Sequence, residues 1–438
     1  MRQPSRRDIL KTSMAVGAGF WLGTSPKTRA QSPNEKLNVA CIGVGGQGGY
    51  SVKGVKGENI VAMCDVDWGK ARKSASVYRN FVETTKVKVY KDFRKMLDEL
   101  DQSIDAVTVA TPDHTHFHPA RQAVLMGKHC YCEKPLAHSA WEVRELTNIA
   151  KKMGVATQLG NQRHAFPGMR RTVEAVQAGV IGAVKEVYCF IGGKRGMPPM
   201  PTAFPSVPST LDWDLWLGPA KQRRYSPDYC PYKWRFWWDF GTGETGNWGC
   251  HILDIPFWAL NLKYPTRVDL DAIPTAADID PQRTPTTMKT RLEFAAEPGH
   301  GPLSLHWWHV SSSSDIFKKY RAKGGGNTLF IGTKGAIAAS FDKHTVTMFD
   351  GSIPEKPPET IPASPGFHQE WINACKGGPR STCDWVDYTG PLAESVILAN
   401  VAYRAGGGFD WNAKDFKASG NPKADDYIFP DFRAGWKV

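Results

Sequence analysis

The sequence predicts a two-domain α/β protein: an N-terminal doubly wound parallel sheet followed by an α+β domain built on a large, mostly antiparallel open sheet. Three observations carry this expectation. From residue 37 to about 160, apolar runs of strand length alternate with helical periods, the pattern of consecutive βαβ units. A glycine-rich turn, Cys41-Ile42-Gly43-Val44-Gly45-Gly46-Gln47-Gly48, joins the first run to a helix. Beyond residue 184, runs with a two-residue alternation are separated by turn residues, as in antiparallel strands. At 438 residues the chain also exceeds the size at which one core usually stops growing. The expected divisions are a nucleotide domain at 35–160 and a substrate-binding and oligomerisation domain at 161–438.

Residues 1–30 read as an export signal outside the fold. Ser5-Arg6-Arg7-Asp8-Ile9-Leu10-Lys11 is a twin-arginine start, followed by a weakly apolar run from Met14 to Gly23 and a small-residue exit at Thr28-Arg29-Ala30. The expected destination is the periplasm, with no stable membrane anchor after processing. Cleavage after Ala30 leaves 49 basic against 42 acidic side chains, a mildly basic protein without the dense Lys/Arg stripe that nucleic-acid binding needs. Nine cysteines without a CxxC pair do not form a disulfide framework, although Cys375 and Cys383 are placed to pair in an oxidising compartment.

In order along the chain, Leu37 to Ala40 reads as a buried strand before the glycines, and Ile60 to Cys64 as the next strand. The G-x-G-x-x-G spacing gives a tight turn at Gly43, a bare backbone at Gly45 and a small residue at Gly48 where helix meets strand. That geometry suits a dinucleotide, with Gly46 and Gln47 in the same loop and the helix start facing the phosphates. Asp65 ends the second strand, 22 residues beyond Gly43. A carboxylate there accepts from ribose hydroxyls and repels a 2′-phosphate, so NAD is expected over NADP. Lys70, Arg72 and Lys73 lie nearby and soften that preference.

Asp92 caps a helix carrying Phe93, Met96, Leu97 and Leu100 at helical spacing. Ile104 to Ala110 and His129 to Cys132 read as strands, Ser139 to Glu142 as a capping box, and Val155 to Leu159 as the last strand of the first domain. Pro167 to Gly179 is then a helix and Val184 to Ile191 a strand. A long loop rich in proline and aromatics follows from Gly192 to Thr245, before a helix at about Trp248 to Leu260. Five alternating runs between Thr290 and Phe349 form the second sheet, with a hairpin turn at Gly332-Thr333-Lys334-Gly335. Helices are expected at Gly366 to Cys375 and Tyr388 to Tyr403.

Open α/β sheets bind ligands beyond the carboxyl ends of their strands, where Thr111-Pro112 and Glu133-Lys134-Pro135 both fall. Lys134 is suited to donating to a substrate hydroxyl, and an exposed structural lysine is the plainer alternative. His114, His116 and His118 alternate at a strand-to-helix turn, and no matching ligand group stands out elsewhere, so no metal is expected. In Asn247-Trp248-Gly249-Cys250-His251-Ile252-Leu253-Asp254, helical spacing puts Asn247 and His251 on one face with Asp254 a turn further. A histidine oriented by a carboxylate or amide can remove a hydroxyl proton; a core histidine is the alternative. Nine of the sixteen tryptophans fall between Trp213 and Trp308. Arg163, Trp234 and Arg235 are the candidate substrate contacts, since aromatic faces pack on sugar rings and arginine binds hydroxyls or a carboxylate.

With these residues assembled, the chain resembles the Gfo/Idh/MocA family of glucose-fructose oxidoreductases and inositol dehydrogenases. The resemblance rests on Gly43 to Gly48, Asp65, Ala110-Thr111-Pro112 with His116, Gly127-Lys128-His129 running into Cys132-Glu133-Lys134-Pro135, and the Gly332 to Gly335 turn. It implies a Rossmann domain, a C-terminal sheet that mediates assembly into a dimer or tetramer, and a carbohydrate held between the two. It further implies that Gly43, Gly45, Gly46, Gln47, Gly48, Asp65, Thr111, Pro112, His116 and Glu133 hold the cofactor. Lys134 then lies beside nicotinamide and substrate, and His251 matches the family's catalytic histidine in a D-x-x-x-H pattern. Here Asn247 stands in the first position, and an amide cannot take a proton; Asp254 is expected to orient His251 instead. The implied activity is hydride transfer between NAD and a sugar hydroxyl. Redox-assisted glycoside hydrolysis, or a sugar-binding protein without turnover, are the alternatives.

Overall fold

In the computed structural model, residues 35–74, 87–275, 278–310 and 312–438 are described. The twin-arginine segment and the side chains of Arg72 and Lys73 lie outside them. The described residues belong to one compact unit.

The strands β1 (Asn38–Ile42), β2 (Asn59–Cys64), β3 (Lys88–Tyr90), β4 (Ala106–Val109), β5 (His129–Cys132) and β6 (Thr157–Leu159) form the first sheet. It is parallel throughout, in the order β3-β2-β1-β4-β5-β6. The strand order reverses between β1 and β4, the crevice where doubly wound sheets bind ligands. The central strands are buried on both faces, which is why β1 and β4 read as continuous apolar runs rather than alternating ones. Helix starts are written locally. Asp92 accepts from the Arg94 N–H, and Ser139 and Glu142 form a reciprocal capping box.

The second sheet contains β7 (Val184–Ile191), β8 (Arg267–Leu270), β9 (Met288–Phe294), β10 (Leu303–His309), β11 (Thr328–Gly332), β12 (Gly335–Ala339), β13 (His344–Met348), β14 (Phe409–Asn412) and β15 (Lys417–Ser419). Its order is β13-β12-β11-β7-β10-β9-β8-β14-β15. Neighbours run antiparallel except β7 and β10 at the centre, which are parallel. Strands β3, β8, β14 and β15 are absent from the sequence reading: each has only three or four residues and, unlike the equally short β4, β5 and β6, is not a continuously buried run.

One apolar core runs from the parallel sheet through the helix Cys250–Leu260 to β8, β9 and β10. The helix Gly390–Ala405 is buried almost along its whole length, and Glu394 on it takes both oxygens to Arg144 of the helix Ala140–Met153, at 2.7 and 2.8 Å. Late in the chain, the helix Phe367–Cys375 returns to the first sheet, where Trp371 and Ile372 pack with Val39, Cys41 and Tyr131. All nine cysteines are free and buried, so Cys375 and Cys383, the two that the sequence leaves able to pair, are not joined: both thiols serve as small apolar core groups. Among the described residues no helix is long and apolar enough to cross a membrane.

Candidate active site

A cavity of about 830 Å³ opens beyond the carboxyl ends of β1, β4 and β5 and is closed from the other side by residues of the second lobe. The glycine turn forms its floor. Gly43 has φ of 74°, and a Cβ there would come within 2.8 Å of the Ala110 carbonyl. At Gly48 a Cβ would fall 1.8 Å from the Gly43 oxygen, so the helix can approach the strand only through glycine. Gly46, also at positive φ, has nothing within 4 Å of where a Cβ would stand. Its face is therefore open to a ligand, and Gly45, Gly46 and Gln47 all line the cavity.

Asp65 sits at the end of β2 as expected, but its carboxylate is turned into the loop. Oδ2 accepts the N–H groups of Val44 and Gly45 at 3.0 and 3.1 Å, and Oδ1 that of Asp67 at 2.9 Å. Burial raises its pKa while those N–H groups pull it down. In this arrangement Asp65 holds the shape of the glycine turn besides lining the cavity.

The loops after β4 and β5 are fastened together by His116, whose Nδ1 and Nε2 lie 2.7 Å from the carbonyls of Pro135 and Thr111. Two carbonyl acceptors favour the doubly protonated ring, and burial opposes it. His114 and His118 reach other carbonyls, those of Phe240, Trp216 and Trp436. The three rings thus anchor separate segments. Glu133 accepts from Gln162 and Tyr131 through Oε1, while its buried Oε2 has no partner.

Lys134 donates from Nζ to the Asn247 carbonyl at 2.7 Å and to Asn247 Oδ1 at 2.9 Å. Asn247 Nδ2 in turn donates to Glu244 Oε1 at 3.3 Å, and Arg195 pairs with Glu244 Oε2 at 2.6 Å. Asn247 belongs to a π-helical turn, Thr245–Gly249, that feeds the helix Cys250–Leu260 carrying His251. Sequence periodicity reads this as one uninterrupted helix; π turns of this kind often occur at functional sites. His251 lines the cavity beside Trp248, and its Nδ1 is buried without a partner. Its pKa falls well below the usual histidine value, chiefly through burial and then through the nearby charges of Lys134 and Arg163.

Asp254 does not orient His251. It points away from the cavity and accepts from His164 Nδ1 at 3.0 Å and from the Tyr388 hydroxyl. These donors come from distant segments and capture the carboxylate on the inner side of the helix. The potential ligand atoms of His164, Asp254 and Cys383 lie within 4.8 Å of one another, a grouping that sequence spacing does not reveal. Hydrogen bonds to His164 and Tyr388 already account for the carboxylate.

Thr111, Pro112, Arg163, Trp234 and Arg235 line the same cavity. So does Trp216, one of the nine crowded tryptophans, and so do Tyr50, Gln162 and Trp436, which the sequence reading does not single out. Trp436 lies two residues from the last in the chain, where no motif marks it. The open face at Gly46 and the partnerless Glu133 Oε2 and His251 Nδ1 fit a dinucleotide laid from the glycine turn towards Lys134.

Comparison with known proteins agrees with this architecture. Residues 37–161 match the profile of the Gfo/Idh/MocA oxidoreductase family's NAD-binding Rossmann fold, and residues 190–289 that of its C-terminal alpha/beta domain. Inositol 2-dehydrogenase 1 of Saccharopolyspora erythraea is 32% identical over 190 residues, 41% of this chain and 54% of the relative. A glycosyl hydrolase family 109 protein of Shewanella sp. (strain ANA-3) is 30% identical over 169 residues, 33% of this chain and 37% of the relative. The chain thus spans about half or less of the length of these curated relatives. An inositol dehydrogenase homolog from Azotobacter vinelandii, solved with NADH and myo-inositol, shares the fold at 17% identity with a TM-score of 0.54, over 87% of this chain and 100% of that one. The chain belongs to the Gfo/Idh/MocA oxidoreductase family.

Proposed function

We propose that this protein is an NAD-dependent oxidoreductase that transfers hydride between a bound nicotinamide and a carbinol carbon of a sugar or sugar derivative. The observation that carries this reading is the meeting of Lys134 and His251 in the cavity that the glycine turn opens into. A nicotinamide, when bound, supplies the acceptor or donor of the hydride. Lys134 is the cation that polarises the substrate oxygen, its ammonium held in place by the two Asn247 oxygens. His251 is kept neutral at physiological pH by burial and by two nearby cations, so its ring can receive the hydroxyl proton. Asn247 positions Lys134 and, being an amide, moves no proton. Trp234 and Arg235 hold the carbohydrate. Asp65, a half-buried carboxylate lining the cavity, favours NAD over NADP.

The twin-arginine start supports export of the folded, cofactor-loaded protein to the periplasm, and the large open sheet supports assembly into a dimer or tetramer. Export favours a cycle in which the same bound cofactor is restored, since soluble NAD is not expected there. A second reading, oxidation followed by elimination and re-reduction of a glycoside, draws on that argument and on the similarity to a glycosyl hydrolase family 109 protein.

The test is the nicotinamide absorbance of purified, leader-intact protein before and after addition of sugars, inositols and glycosides. A band that rises with one class, and does not rise in Lys134→Met or His251→Ala, supports net oxidation. Cleavage of a glycoside with solvent deuterium entering the sugar and no net change in the band supports the redox-neutral cycle. Protein that neither retains nor binds NAD would refute both.

A further inference from the structure

Arg163 lies in the short 3-10 turn Gln162–Ala165 just beyond β6. Its guanidinium stands over the rings of Phe341 at 4.4 Å and Trp248 at 5.2 Å. Among the described residues it makes no hydrogen bond and no ion pair. Aromatic faces stabilise the charge, but they offer its five N–H donors no protein acceptor. Beside it, Trp248 Nε1 is buried with no acceptor. Both residues line the cavity next to His251.

The cavity's carboxylates do not answer this charge. Asp65 takes backbone N–H groups, Asp67 takes the Thr210 hydroxyl and the Lys70 N–H, Asp92 takes Arg94, Asp113 takes Thr242, and Glu133 takes Gln162 and Tyr131. None of them lies within ion-pair distance of Arg163, Glu133 Oε2 included, although that oxygen is buried without a partner. A substrate that fills the cavity strips water from the guanidinium, and an unpaired cation is costly to desolvate. A planar fork carrying one charge is matched by a group with two oxygens and one negative charge.

We infer that the carbohydrate accepted here carries a carboxylate, received by the guanidinium of Arg163 with the Trp248 indole N–H as an additional donor. This rests on the oxidoreductase reading for the chemistry but not for the recognition. It also joins specificity to catalysis. Arg163 is one of the charges that depress the basicity of His251, and a bound carboxylate offsets that charge when the base is needed. The phosphates of the dinucleotide are the other source of such an anion, and the test separates the two.

Glucuronate, galacturonate and mannuronate are each compared with the matching hexose and with the uronate methyl ester, which keeps the shape and removes the charge. Turnover is read by nicotinamide absorbance in the NAD-loaded protein and binding by calorimetry. At least one acid is expected to exceed its hexose and its ester by about 30-fold or more in affinity or kcat/KM, the size of a well-formed charge-assisted pair. In Arg163→Gln that ratio is expected to collapse to within about threefold, and Arg163→Lys to restore only part of it, since an ammonium lacks the fork. Unchanged thermal midpoints confirm that the variants are folded.

Equal binding of acid and ester by the wild-type protein overturns the inference, as does an equal loss for acid and hexose in Arg163→Gln. Loss of NADH affinity in Arg163→Gln, with the acid preference intact, assigns the guanidinium to the cofactor and also overturns it. Selective, Arg163-dependent binding of an acid without any nicotinamide change upholds the carboxylate site while the oxidoreductase reading fails. Oxidation of hexoses as fast as of their acids does the reverse.

Discussion

The Nζ of Lys134 sits 2.9 Å from Oδ1 of Asn247, so an amide oxygen receives the lysine that a carboxylate would otherwise face. Two consequences follow from that substitution. The lysine keeps a positioning acceptor, and it loses the negative charge that would raise its pKa against the lowering effect of burial. The nearest carboxylate in this chain of contacts is Glu244, one hydrogen bond further away.

Asn247→Asp therefore should keep Lys134 in place and strengthen its protonation, extending activity towards higher pH. Asn247→Ala should lower kcat by about tenfold or more, because the ammonium loses one of two acceptors and its aim. The pH–rate profiles of both variants check this. An alkaline limb that does not move in Asn247→Asp would show that Lys134 does not govern it.

Asp254 makes a contrasting case. With its carboxylate committed to His164 and Tyr388, Asp254→Asn leaves one of those donors facing an NH2 group inside the core. The expected loss is about 1–3 kcal/mol of stability. The effect on kcat/KM of the folded protein should stay within a few-fold. Urea unfolding alongside steady-state kinetics decides it; a hundredfold fall in kcat with an unchanged midpoint would restore Asp254 to the catalytic group.

The difference between these two residues shows what the sequence carries and what it does not. The glycine turn, the strand-end Thr111-Pro112 and Glu133-Lys134-Pro135 were legible because each role is local: a backbone angle, a strand terminus, a fixed offset. Asn247 and His251 were legible as neighbours for the same reason. The partners of Asp254 lie 90 and 134 residues away, and helical spacing says nothing about which donors another segment brings. Trp436 joins the cavity by the same kind of long-range contact. Asp65 is intermediate, for its place at the end of β2 is a matter of spacing, whereas its capture by the Val44 and Gly45 N–H groups depends on how the turn closes. The parallel pairing of β7 with β10 was hidden because alternation shows which face is buried but not the direction of the neighbour.

Gly48→Ala tests the closest backbone approach in the cofactor loop. A methyl group placed 1.8 Å from the Gly43 oxygen forces the helix Gly48–Gly54 away from β1. Overpacking of this kind costs about 1–3 kcal/mol, and the displaced N–H groups should weaken NADH binding by about tenfold or more. Fluorescence titration with NADH measures the second effect. Gly57→Ala, where a Cβ meets nothing within 4 Å, is the control and should leave NADH affinity unchanged.

A pH dependence of stability follows from His129 at the start of β5. Its Nδ1 accepts the Ala156 N–H at 2.9 Å, which requires the unprotonated nitrogen, and burial pushes its pKa down to about 4. An unfolded histidine titrates near ~6.5, so the folded state holds this ring neutral where the unfolded chain would take up a proton. The contribution is fully present above the unfolded value and is lost as pH falls from there towards the folded one. Its size is on the order of 1–3 kcal/mol, with partial solvent access setting the lower end. His118, His309 and His368, each also pushed down to about 4 by burial, act in the same direction. The urea midpoint should therefore drop between pH 7 and pH 4.5, and drop less in His129→Asn, where an amide oxygen keeps an acceptor that does not titrate. An identical drop in the variant would mean that the Ala156 contact is not what acid breaks.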